Sequence, residues 1–199
     1  MTEFEIEKGK ETFTSILLNK IGNRPGSKEL LEWLNTTDFF TAPASTKYHE
    51  AYPGGLCEHS LVVYRMLSRL NALAPEQERL SDESVAVCAL LHDVCKCNVY
   101  VKSTRNVKNE TTGVWEKVPF YLFSDSLPMG HGEKSVFLIT QYMTLSLLEA
   151  VSIRWHMGAF DDSVKGGSYA LGNAYEKFPA ALNLHIADMQ ATYQKGWLK

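Results

Sequence analysis

Apolar residues recur along most of this chain at spacings of three and four, the rhythm of helices that bury one stripe. Phe13, Ile16, Leu17 and Leu18 predict an amphipathic helix over 5–21. Gly22-Asn23-Arg24-Pro25-Gly26 breaks it, and Ser27 is the expected N-cap of a second helix carrying Leu30, Leu31 and Leu34. The rhythm lapses over 36–55, which contains Pro43 and Pro53 and reads as a long ordered loop. It returns over 56–73, where Val62, Val63, Met66, Leu67 and Leu70 share a face. Ser81 opens the next helix, with Asp82 and Glu83 placed to favour the positive end of its dipole, and this helix runs through Val85, Ala89 and Leu90 into His92-Asp93.

Segment 98–128 changes period. Val99-Tyr100-Val101-Lys102 and Val114-Trp115-Glu116-Lys117-Val118 alternate in strand fashion around Asn109-Glu110-Thr111-Thr112-Gly113, which reads as a hairpin turn. Helical spacing resumes over 132–142, with His131 just ahead of it beside backbone N–H groups able to hold an anion. Thr144 is the expected cap of a helix running through Leu147, Leu148 and Ile153 to His156 and stopping at Gly158. Pro179 suits the first turn of the last helix, which carries His185 and Asp188 on one face.

Composition narrows the class. A chain of 199 residues, 45% apolar and 22% charged, can bury a sizeable core, and one domain over 1–199 is expected, with N-terminal helices and loop in 1–50 and a hairpin insert in 98–128. The net charge of −3 gives no general attraction to duplex nucleic acid. The N-terminus alternates acidic and apolar residues without the roughly 7–15-residue apolar core of a signal peptide, and no stretch reaches the about 20 apolar residues of a membrane span, so a cytoplasmic protein is expected. Cys57, Cys88, Cys95 and Cys97 are then expected to stay reduced, with Cys88 a small core residue. A zinc site through Cys95 and Cys97 has the wrong spacing and no second pair to complete it.

Chemistry concentrates in six residues: His59, the adjacent pair His92-Asp93, His131, His156 and Asp188. A lone histidine on a helix is ordinarily a packed, hydrogen-bonded residue. Here four of only six histidines stand at or near ends of predicted helices, where side chains from separate helices can converge. Imidazole and carboxylate donors suit Fe, Mn, Ni, Co or Zn better than calcium, and a set this large can hold two such ions, a pairing that points to hydrolysis at phosphorus.

The segments Gly54-Gly55-Leu56-Cys57-Glu58-His59-Ser60, Leu90-Leu91-His92-Asp93-Val94-Cys95-Lys96, Gly130-His131-Gly132-Glu133-Lys134-Ser135, Ile153-Arg154-Trp155-His156 and Leu184-His185-Ile186-Ala187-Asp188 occur in this order with helices between them. In this the chain resembles the binuclear branch of the HD-domain superfamily of metal-dependent phosphohydrolases, over about residues 52–193. The resemblance implies an all-α helical bundle with a small β-hairpin insertion. It implies two divalent transition-metal ions, one held by His59, His92, Asp93 and Asp188 and a second, bridged by Asp93, held by His131 and His156. Hydrolysis would proceed by a metal-activated hydroxide, with Asp93 and Lys96 as catalytic residues and Lys96 facing the phosphate. Cys95 stands where the family often has glycine. Lys134 is a candidate phosphate contact, and His185 is expected to orient Asp188 or close the cleft.

The hairpin insert leaves after Lys96 and returns before His131 with Lys102, Arg105, Lys108, Lys117 and Trp115, so it reads either as a surface excursion or as a lid whose Arg105 and Trp115 bind substrate. After His156 the chain reads Met157-Gly158-Ala159-Phe160, lacking the Gly-Tyr-Pro element of cyclic-dinucleotide phosphodiesterases. The segments around His59 and Asp188 are closer to the HD domains of 3′-5′ exoribonucleases, without their separate nucleic-acid-binding domain. A nucleotide or short single-stranded RNA is the expected substrate. The alternatives are a di-iron oxygenase of the HD-domain type, which shares these ligands, and a nucleotide-sensing module.

Overall fold

Phe13, Leu17 and Ile21 lie four residues apart and are all buried, forming the inner stripe of helix α1, Glu3–Ile21. α1 starts ahead of the expected position because Thr2 caps it: the Thr2 hydroxyl accepts from the Glu5 N–H at 3.2 Å and the Glu5 carboxylate accepts from the Thr2 N–H at 2.8 Å. Leu18, expected on the buried stripe, is instead exposed, since about 100° of rotation separates it from Leu17. This structure, a computed structural model, describes residues 1–194; the end of the expected domain, 195–199, lies outside the described residues.

Helix α2, Ser27–Thr36, corrects the expected cap. Gly26, not Ser27, precedes it with φ 85°, and a Cβ at Gly26 would collide with the Tyr142 carbonyl. Close approach of two segments, which only glycine permits, therefore begins this helix, and Ser27 is its buried first residue. α3 is Gly55–Leu73 and α4 is Asp82–Leu91, where Ser81 caps as expected by accepting from the Ser84 N–H at 3.1 Å. α5 is His131–Thr140 and α6 is Leu147–Arg154. The cap of α6 is Ser146 rather than Thr144, because Ser146 and Glu149 exchange bonds of 3.2 and 2.8 Å in a capping box. Short helices α7, Asp162–Lys165, and α8, Ala170–Lys177, lead to α9, Pro179–Tyr193, with Pro179 in its first turn.

The protein is thus mostly helical with one two-stranded antiparallel sheet. Strands β1, Tyr100–Lys108, and β2, Trp115–Phe123, pair from Tyr100↔Phe123 to Lys108↔Trp115, well past the expected strands. The ribbon has little buried surface, so polar residues such as Ser103, Thr104 and Asn106 fit its ladder without hydrophobic alternation to mark them.

One core cluster runs from Phe13 to Ala191 and draws on α1 to α6 and α9, with α3 packed between α9 and α4. The link between α1 and α2 is tied to this core by Arg24, which donates twice to Glu149 at 2.9 Å and once to Glu83 at 2.6 Å, while the Ser84 hydroxyl also donates to Glu149. Among the described residues, no helix is long and apolar enough to cross a membrane.

Candidate metal centre

The centre lies where the ends of several helices meet. His59 stands in the second turn of α3, held against α9 by that helix packing, and Asp188 projects from the middle of α9. α4 stops at Leu91, so Asp93 leaves helical geometry with φ −110° and ψ 16°. That departure lets two adjacent side chains, His92 and Asp93, serve one centre, which about 100° of rotation per residue would prevent within a helix. His131 is the first residue of α5, and His156 follows the end of α6.

All six residues singled out in the sequence are brought together. Asp93 is buried and its two oxygens divide the imidazoles. Oδ2 lies 3.4 Å from His92 Nε2 and 3.7 Å from His59 Nε2, whereas Oδ1 lies 2.9 Å from His131 Nε2 and 3.5 Å from His156 Nε2. His59 Nε2 also stands 3.0 Å from Asp188 Oδ1. Triads His59, His92, Asp188 and His92, Asp93, His156 each have donor atoms within 4.8 Å of one another.

Tautomers are set from behind. The His92 Nδ1–H donates to the Ala89 carbonyl at 2.9 Å and the His156 Nδ1–H to the Ile153 carbonyl at 2.7 Å. Since a carbonyl only accepts, each ring turns an Nε2 lone pair toward the centre. Both Nε2 atoms are buried without a hydrogen-bond partner. Buried nitrogen lone pairs aimed at carboxylate oxygens fit divalent transition-metal ions, the group that the donor set calls for.

Electrostatics reflect the crowding. Burial opposes charge on His59, but Asp188, Glu50 and Asp93 outweigh it and raise its pKa to about 9. Burial also opposes charge on Asp93, yet Lys96, His92, His131 and His156 hold its carboxyl well below the usual range. His156 is raised against its burial by Asp93 and Asp188, while burial prevails at the His131 ring and lowers it.

Lys96 is buried in the one-turn 3₁₀ segment Val94–Lys96, its ammonium 2.7 Å from Asp93 Oδ2, and it lines the cleft above the centre. Cys95 fits this turn without a glycine-like backbone: its φ is not positive, and its N–H donates to the Ser135 hydroxyl at 3.2 Å. No candidate ligand group among the described residues contains both Cys95 and Cys97.

The cleft encloses about 730 Å³, and His49, His131, His185 and Asp188 reach it. Other expected contacts do not. Lys134 is buried and donates to Asp125 Oδ1 at 2.5 Å, so it braces α5 against the end of the insert instead of facing a phosphate. Arg105 lies over the Phe120 ring, and Trp115 is at the far end of the ribbon, about 26 Å along β2 from Phe123 at about 3.3 Å per residue. Only the base of the hairpin, Tyr100 and Phe123, lines the cleft. His185 does line the cleft, and its Nδ1–H donates to the His156 carbonyl at 2.7 Å rather than to Asp188, steadying the segment that carries His156.

Two residues of the 36–55 loop were not assigned from sequence. The His49 ring lies 5.0 Å from the His59 ring with the two planes tilted by 43°, and burial first, then Lys96, lowers its pKa to about 4. Buried Glu50, with an unusual φ of 40°, places Oε2 3.6 Å from His59 Nδ1. Loop residues carry no periodicity, so only the adjacency of His49 and Glu50 hinted at them. No protein-family model, curated protein or solved structure matches the chain.

Proposed function

We propose that the chain is a metal-dependent phosphohydrolase of the HD-domain kind, acting on a nucleotide or short single-stranded oligonucleotide. The observation that carries this reading is the division of Asp93, whose Oδ2 faces His59 and His92 and whose Oδ1 faces His131 and His156. A carboxylate with imidazoles gathered at each oxygen is suited to bridging two cations and offsetting their repulsion. His59, His92, Asp93 and Asp188 would hold one ion, and Asp93, His131 and His156 the other. When bound, such a pair lowers the pKa of water and polarises phosphoryl oxygens.

The protein's own part is preparation. The Ala89 and Ile153 carbonyls hold His92 and His156 in the tautomers that leave Nε2 free. The Lys96 ammonium adds positive charge at the cleft floor, where a phosphate would approach.

The test is metal analysis of purified protein followed by an anaerobic assay, with Mn, Ni or Co, against nucleotides, cyclic nucleotides, dinucleoside polyphosphates and short RNA. Two ions per chain and hydrolysis are expected, and Asp93→Ala is expected to lose both ions and all turnover. Full metal occupancy in that variant, or turnover that requires iron and oxygen, would remove the reading.

A further inference from the structure

The walls of the cleft are aromatic where its floor is polar. Tyr48, Tyr100, Phe123, Phe160 and Tyr193 all line it. Four of these large rings stand open to solvent: Tyr48 is 80% exposed, Tyr193 72%, Phe123 58% and Phe160 51%. They come from unrelated segments: the loop before α3, the end of β2, the turn after α6 and the end of α9. Exposed rings gathered from four places onto one cleft are a surface suited to a flat ligand.

Cations are scarce in the same lining. Among the described residues it holds only two lysines, Lys96, 2.7 Å from Asp93, and Lys165, which is exposed, with no arginine, while Lys47 lies outside it with its ammonium 4.9 Å from the centre of the Tyr48 ring. Lys102, Arg105, Lys108 and Lys117 lie outside it on the ribbon. A di- or triphosphate chain, or a run of RNA phosphates, would bring several charges beyond the one group the metal centre could take, and this lining offers nothing comparable to meet them. The volume, about 730 Å³, suits one small molecule.

We infer that the cleft selects a phosphomonoester carrying a flat aromatic ring, a nucleoside monophosphate, with the phosphate at the metal centre and the ring held among Tyr48, Phe123, Phe160 and Tyr193. This rests on the phosphohydrolase reading for the placement of the phosphate, while recognition of the ring is independent of turnover.

The experiment compares adenosine 5′-monophosphate, adenosine 5′-triphosphate and ribose 5-phosphate on metal-loaded protein, by turnover and by calorimetric binding, for the native chain, Tyr48→Ala and Tyr48→Phe. Tyr48 is exposed, so folding should be untouched. Expected is a preference for the monophosphate over ribose 5-phosphate of about 10- to 100-fold, seen in KM, which Tyr48→Ala reduces and Tyr48→Phe retains. The triphosphate should gain nothing over the monophosphate. Equal values for the ringless phosphate, or a clear preference for the triphosphate, overturn the inference. If no phosphate ester is turned over, the phosphohydrolase reading fails by itself. Binding then decides: ring-dependent affinity weakened by Tyr48→Ala supports the inference, and its absence overturns it.

Discussion

Asp93 sits where helical backbone has just ended, buried with two imidazoles facing each of its oxygens. Its neighbours divide by oxygen, so their substitutions should differ in kind. His156→Ala removes a nitrogen from the Oδ1 side only and is expected to leave one ion per chain, held on the Oδ2 side, while turnover falls by orders of magnitude. Elemental analysis beside kinetics checks this, and two ions at a normal rate would place His156 outside the centre. Glu50 places Oε2 3.6 Å from His59 Nδ1, on the side of the ring opposite the nitrogen that faces Asp93 and Asp188. Glu50→Gln should therefore weaken metal affinity by about 10- to 100-fold with helix content unchanged, as read by metal titration and circular dichroism. The histidines and aspartates of the centre were legible in the sequence because their types and order are chemical signals; Glu50 was not, because a carboxylate in a loop looks like any solvated acid until packing buries it.

His92, Asp93, His131 and His156 stand at or just beyond helix ends, so the contacts that fix those helices bear on the candidate centre. Burial alone would push the Glu149 carboxyl up, but bonds from Arg24, Ser146 and Ser84 outweigh it and hold its pKa below the ordinary value. A carboxyl lowered by folding stabilises the native state above its unfolded pKa of about 4.3, and this contribution is lost as pH falls through the lower folded value. Glu149→Gln should cost about 3 kcal/mol at pH 7, the low end for a broken buried pair because Arg24 keeps Glu83. Urea titrations should show the gap between native chain and variant narrowing toward pH 3; a gap that widens in acid would contradict the assignment. The hairpin gives a different contrast. Phe123→Ala, at the base that lines the cleft, should raise KM, whereas Trp115→Ala, at the far end of the ribbon, should leave kinetics with a small substrate unchanged. A large effect of Trp115→Ala would restore the insert as a lid.

Candidate ligands drawn from α3, the end of α4, α5, the turn after α6 and α9 mean that a metal pair, if bound, would cross-link most of the core. Chelation should lower the melting temperature by about 6–12 °C, the shift expected from losing about 3 kcal/mol of ligand stabilisation in a chain of this size. Thermal melts with and without chelator, then with metal restored, check it, and an unchanged melting temperature would argue against metal binding in the native state. Periodicity and donor types were enough to mark most helices, the change of period at the hairpin and the six convergent residues, since these are local properties written in spacing and side-chain chemistry, whereas of the expected caps Ser81 held and Ser27 and Thr144 did not. Local patterns carry no record of which distant surfaces meet. Packing alone moved the cap of α2 to Gly26 against Tyr142, turned Lys134 to Asp125, carried Arg105 and Trp115 away from the cleft, brought His49 and Glu50 beside His59, and set two imidazoles at each oxygen of Asp93.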